Sequence, residues 1–142
     1  METTTGQTAI TVETTVKSPI EKVWKYWSEP GHITKWAFAS EDWHVPSADN
    51  DLRTGGKFST TMAAKDGSFS FEFGGVYDKV EANKTINYTI GDGRKVETSF
   101  AGKGNETKIV QSFEAEEQNS IDMQRCGWQA ILNNYKKYVE NN

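Results

Sequence analysis

Asp51-Leu52-Arg53-Thr54-Gly55-Gly56-Lys57-Phe58 stands between a tryptophan-rich helical opening and a long run of alternating segments, and its reading decides the fold. A glycine pair at a strand entry lets the backbone take a positive φ, or press against a neighbour where a side chain would clash. Alternation begins at once behind it, with Phe58, Thr60 and Met62 on one face and Ser59 and Thr61 on the other. The stretch reads as a hinge feeding a curved sheet. A curved sheet encloses volume, and enclosed volume lined by apolar groups is where small molecules bind.

Downstream, period-two patterning predicts strands near 56–64, 68–80, 84–90, 94–101 and 106–114. Asp66-Gly67, Ala82-Asn83, Asp92-Gly93 and Gly102-Lys103-Gly104 separate them. Separators this short join antiparallel hairpins in sequence order. Within the longest strand Phe69, Phe71 and Phe73 share a face, and beyond Gly74-Gly75 the apolar phase passes to Val76 and Val80. A phase slip at glycines predicts a bulge there.

Upstream, Ile10, Val12, Thr14 and Val16 alternate with Thr11, Glu13, Thr15 and Lys17, the pattern of a half-buried strand. Ser18-Pro19-Ile20-Glu21 is a helix start, with Ser18 as cap, Pro19 in the first helical position and Glu21 reaching back to the cap amide. Ile20, Val23, Trp24 and Trp27 then share one helical face until Glu29-Pro30-Gly31 breaks it. A second short helix carries Ile33 and Trp36. Trp43-His44-Val45 reads as a short strand, 46–50 as a polar loop and 1–7 as a flexible tail.

From about Ser120 the period is helical, and Trp128, Ile131, Leu132, Tyr135, Tyr138 and Val139 form a broad apolar stripe. Asn119 or Ser120 can cap this helix, and Asp122 suits its positive end. The stripe has only the concave sheet face to bury against. Strand, helix pair, antiparallel sheet and long helix make an α+β order rather than alternating βαβ.

The 142 residues suit a single domain over 1–142, burying roughly two thirds of its unfolded surface. Net charge is −4 and the 16 basic residues are scattered, so the basic stripe of a nucleic-acid binder is missing. No apolar run approaches the ~20 residues that span a bilayer, so no membrane insertion is expected. The polar, acidic N-terminus is unlike a signal peptide, and Cys126 is the sole cysteine, so no internal disulfide forms. Both features lead us to expect a cytoplasmic protein.

Catalytic machinery is hard to find in this sequence. His32 and His44 have no sequence-local nucleophile, and with Cys126 they form no metal-ligand spacing. Cys126 reads as a small core residue, and Glu116-Glu117 as solvated surface. No glycine-rich loop has phosphate-cradling spacing, so no metal, cofactor or catalytic residue is expected. Polar residues on apolar faces are more informative. Thr60 sits between Phe58 and Met62, Thr98 between Val96 and Phe100, and Gln111 between Ile109 and Phe113. A buried amide left unpaired costs about 1–3 kcal/mol, so Gln111 needs a partner, whether side chain, water or ligand.

Several of these pieces together resemble one family. Ser18-Pro19-Ile20-Glu21-Lys22-Val23-Trp24, Glu29-Pro30-Gly31 with Trp36, the 51–58 hinge and Phe73-Gly74-Gly75-Val76-Tyr77 occur in its order. Gly127-Trp128 followed by Leu132, Tyr135 and Tyr138-Val139-Glu140 is similar to its terminal helix. The chain resembles, over about residues 8–141, the activator of heat-shock protein 90 ATPase homologue-like domains. These belong to the START-related, birch-pollen-allergen-like (SRPBCC) superfamily. The resemblance implies a helix-grip fold, in which a seven-stranded sheet wraps a long C-terminal helix over a cavity.

Residues and resemblance together lead us to expect binding of a small, mainly apolar ligand, lipid-like or aromatic, with no covalent chemistry. The expected lining is Trp36, Phe58, Thr60, Met62, Phe71, Phe73, Tyr88, Phe100, Gln111, Trp128, Ile131 and Tyr135. The same aromatic set could instead fill a close-packed core. Two other functions compete with ligand binding. One is a co-chaperone-like module whose partner is a chaperone or another protein. The other is a cyclase or hydrolase using His44 or Glu72 as base.

Overall fold

A computed structural model describes residues 9–38, 40–116 and 118–142; the expected tail at 1–7 lies outside the described residues. The chain runs β1 (Ala9–Val16), α1 (Ile20–Ser28), α2 (Pro30–Ile33), β2 (Trp43–Asn50), β3 (Lys57–Ala64), β4 (Ser70–Glu81), β5 (Thr85–Ile90), β6 (Lys95–Lys103), β7 (Glu106–Glu114) and α3 (Ile121–Glu140). One seven-stranded antiparallel sheet has the order β1-β7-β6-β5-β4-β3-β2. Strands β2 to β7 form a meander of hairpins, and β1 closes the far edge by pairing with the last strand, Ile10 opposite Phe113 and Val16 opposite Thr107. The sheet curls as a half-barrel around α3, the α+β helix-grip arrangement expected from the sequence.

The hinge works as its glycines require. Gly55 has φ +86°, and a Cβ on Gly56 would fall 2.1 Å from the Asp51 carbonyl oxygen. The loop is clipped to β4 by the Gly55 amide donating to Tyr77 O at 2.8 Å and the Tyr77 amide donating to Gly56 O at 2.9 Å. Gly75 permits a second close approach, since its Cβ would lie 2.1 Å from Thr89 O on β5.

The bulge, however, is not at those glycines. Gly74 and Gly75 pair regularly with Ser59 and Phe58, and the register slips between Tyr77 and Lys79. Phe73, Gly75 and Tyr77 therefore keep one face, and only after Asp78 does Val80 turn inward. Tyr77 is buried and Val76 is 40% exposed, the reverse of the sequence expectation.

Three smaller expectations also change. Strand β2 continues through Pro46 to Asn50 with an irregularity between His44 and Ser47. An edge strand tolerates a residue without an N–H, which the sequence pattern reads as a loop. Helix α1 has Pro19, not Ser18, at its N-cap and no side-chain cap. Ser18 is buried, and its carbonyl instead accepts the Thr107 hydroxyl at 2.9 Å. Cys126 is exposed on α3 rather than part of the core, because the helical phase that buries Gln124, Leu132, Tyr135 and Val139 turns it outward.

Helix α3 is fixed along its length. Ser120 Oγ accepts the Met123 amide at 3.1 Å as a true cap. Gln129 covers the free edge of β1, taking the Glu13 amide at 3.4 Å and donating to Glu13 O at 3.1 Å. Tyr135, fully buried, donates its hydroxyl to Val23 O at 2.5 Å and so ties α3 to α1. Among the described residues no helix is long and apolar enough to cross a membrane.

Candidate functional site

Curvature of the sheet beneath α3 leaves a pocket of about 320 Å³. Its walls follow from the two periodicities. Phe58, Thr60 and Met62 alternate inward from β3, Ile86 and Tyr88 from β5, and Gln111 from β7; Trp128, Ile131 and Leu132 come from one face of α3. Trp27, Ile33, Trp36 and Ala37 close the corner formed by α1, α2 and the turn behind them. That corner is pinned by polar contacts: Trp36 Nε1 donates to Tyr26 O at 2.9 Å and Asn134 Nδ2 to Trp36 O at 2.9 Å. Trp128 stacks on Phe113 with centroids 3.9 Å apart, which fixes its ring over the β7 side.

Of the residues expected in the lining, Trp36, Phe58, Thr60, Met62, Phe71, Phe73, Tyr88, Gln111, Trp128 and Ile131 face the pocket. Phe71 is 42% exposed and forms the rim with Trp43 and Phe69. Phe100 and Tyr135 do not line it. Phe100 meets Trp24 and Trp27 edge-on at 5.4 Å, and Tyr135 is wedged between Trp27 and Trp36 at 4.8 and 4.7 Å. Alternation along β6 and the helical period of α3 put the two side chains on inner faces but do not say which layer they occupy.

Sequence reading missed Trp27, Ile33, Ala37, Tyr77, Ile86, Arg94 and Leu132 as wall residues. Ile86 shares the phase of Tyr88, and Leu132 the stripe of Ile131, so both signals were available. Tyr77 was lost with the misplaced bulge. Arg94 lies one step back along the inward series of Val96, Thr98 and Phe100, and a charged residue beside a turn does not advertise an inward face.

Few polar groups interrupt the apolar wall. Thr60, Tyr88 and Gln111 are buried, and the Arg94 side chain is 16% exposed. Gln111 finds its partner in Thr98, donating Nε2 to Oγ1 at 3.0 Å. Tyr77 donates its hydroxyl to Asn50 Oδ1, and Asn50 Nδ2 in turn donates to Ser28 O at 2.6 Å. Burial pushes the Tyr77 and Tyr88 phenols far above their ordinary values, so both stay protonated. Arg94 donates Nε to Asp92 Oδ2 at 2.8 Å and Nη1 to Glu114 O at 3.2 Å. Burial works against the Asp92 carboxylate, but hydrogen bonds from the Arg94 amide and guanidinium hold its pKa below the usual value.

With this geometry in view, comparison with known proteins is informative. The sequence profile described as activator of Hsp90 ATPase homolog 1-like protein matches residues 17–140. The chain belongs to that family. An AHSA1-like protein of Aeromonas hydrophila, solved by NMR, is 40% identical, with 94% of this chain and 93% of that one covered and a TM-score of 0.89. A Cytophaga hutchinsonii protein is 64% identical, with coverage of 94% and 92% and a TM-score of 0.81. A Chromobacterium violaceum protein at 20% identity shares the fold, with coverage of 95% and 99% and a TM-score of 0.84. Among curated proteins nothing matches.

In this family member the two candidate bases stand apart from the pocket. His44 is exposed on β2 and borders a shallow hollow at the β3–β4 turn with Ala63, Lys65 and Phe69. Glu72 is exposed on β4. His32 is occupied elsewhere, stacked on Tyr26 at 4.0 Å with Nδ1 2.7 Å from the Tyr138 hydroxyl. The described pocket wall holds no carboxylate, imidazole or thiol. It can enclose an apolar body and offer a few hydrogen bonds.

Proposed function

We propose that this family member binds a small, mainly apolar molecule, lipid-like or aromatic, between the sheet and α3, without covalent chemistry. The observation that carries the reading is a pocket of about 320 Å³ whose wall is almost wholly aromatic and aliphatic. That volume lies at the lower end of the range for small-molecule sites, roughly 300–1,000 Å³. A sole, exposed Cys126 suits the reducing cytoplasm, where we propose it works; cell fractionation checks this.

A thermal-shift panel of fatty acids, sterols, flavonoids and polyketide-like aromatics tests the binding. A ligand of about 20 heavy atoms at ~0.3 kcal/mol per atom binds with ~6 kcal/mol, or tens of micromolar. At about millimolar free ligand this stabilises the fold by ~2 kcal/mol and raises Tm by roughly 4–8 °C. Ile131→Phe, which fills the pocket from α3, should abolish the shift. No shift from any compound would count against the reading.

A second reading, a protein-interaction module, draws on exposed aromatics at the rim, Phe69 at 59% and Phe71 at 42%. Phe69→Ser separates the two. Ligand binding survives that change, since Phe69 is not part of the pocket wall, whereas docking through the rim is weakened.

A further inference from the structure

We infer that the molecule held in this pocket carries a single carboxylate, received by Arg94 and Tyr88 at the β5–β6 end of the sheet. The inference rests on the ligand-binding reading and adds the chemical class of the ligand.

Backbone register brings the two side chains to one face. Tyr88 pairs with Val96, and one step further the Ile90 amide donates to Arg94 O at 2.9 Å. Arg94 thus stands opposite Ile90, and Tyr88 is its diagonal neighbour, at the roughly 7–8 Å spacing that long side chains bridge. Both line the pocket.

Neither group is fully paired among the described residues. Arginine is rarely withdrawn from water without full pairing, yet the Arg94 side chain is 16% exposed. Asp92 takes its Nε and Glu114 O its Nη1, while Nη2 has no hydrogen-bond partner among the described residues. The Tyr88 phenol, in a residue 8% exposed, likewise has no partner among the described residues. A buried donor left unmade is costly, and both side chains line one apolar space. The guanidinium can only donate and the phenol can also donate, so a single acceptor group would serve both.

A carboxylate fits best. A planar guanidinium matches two oxygens in one plane, and a second donor completes the shell of an anion held away from water. Asp92 already places one negative charge against this guanidinium, which disfavours a dianionic phosphate. Phe73, Ile86, Trp128 and Ile131 then take the apolar remainder.

Calorimetric titration at neutral pH with dodecanoate, dodecanol and dodecyl phosphate tests this without knowledge of the natural ligand. Wild type should bind dodecanoate roughly 10–100-fold more tightly than dodecanol, the range expected for hydrogen bonds to a charged group. Arg94→Gln should erase that preference, and Arg94→Lys, which lacks the planar fork, should restore only part. Tyr88→Phe should weaken the acid selectively. Equal binding of acid and alcohol by wild type, or a preference that survives in Arg94→Gln, overturns the inference and leaves the pocket reading standing. Tighter binding of dodecyl phosphate than of dodecanoate overturns the carboxylate assignment. Binding of none of the three counts against the pocket reading itself, and the inference falls with it.

Discussion

At the scale of single residues, the 51–58 hinge owes its shape to two glycines acting differently. Gly55 supplies a positive φ, and Gly56 supplies room beside the Asp51 carbonyl. Gly55→Val should destabilise the fold by about 1–3 kcal/mol through backbone strain, and Gly56→Val by at least as much through the clash. Urea titration checks this, and unchanged midpoints for both variants would contradict the hinge account. Tyr135→Phe removes only the hydroxyl on Val23 O and should cost about 0.5–1.5 kcal/mol in the same assay. Residue-level reading of the sequence succeeded where the signal is local. Phe58, Thr60 and Met62 follow from alternation alone, and the need of Gln111 for a partner follows from an amide standing between Ile109 and Phe113. It failed at Arg94 and Tyr77. An arginine next to Asp92-Gly93 looks like turn surface, and the bulge that keeps Tyr77 inward sits at Asp78, not at the conspicuous glycines.

Among the elements, α3 decides whether there is a pocket at all. Its apolar stripe was legible from period alone, but its ties were not, because they depend on partners distant in sequence. Gln124, for example, is buried and holds the loop before the helix, accepting the Glu116 amide at 2.9 Å and donating to Asn119 O at 2.8 Å. At the other end Glu140 accepts from Lys136 Nζ at 2.5 Å and from the Lys17 amide at 2.8 Å. The Lys136 hydrogen bond first, then that of Lys17, holds the Glu140 pKa below its ordinary 4.5. A carboxylate with a lowered folded value stabilises above the unfolded value and loses that contribution as pH falls through the folded one. Glu140→Gln should therefore lower Tm modestly at neutral pH and flatten its dependence on pH below about 4.5, as melts across pH would show. Deletion of residues 120–142 should do more. It exposes the concave face, so the cooperative transition should vanish in calorimetry; a sharp single melt from the truncated chain would contradict the role given to α3.

For the molecule as a whole, the architecture was readable because each hairpin signal and each helix period agreed with the same curved sheet. The pocket's outline was readable to the extent that curvature and alternation specify a face. Its depth was not, since Phe100 and Tyr135 share that face yet pack behind the wall against Trp27. Layering depends on the volumes of side chains from several elements at once, and no local pattern carries it. The central claim is that the space under α3 holds a small apolar molecule. Native mass spectrometry of freshly purified wild type and Ile131→Phe, compared side by side, tests it most directly. The account predicts a small-molecule adduct on wild type, or one formed on adding a panel compound, and none on the filled variant. Bare protein from both under every condition, or an adduct that persists in Ile131→Phe, would contradict it.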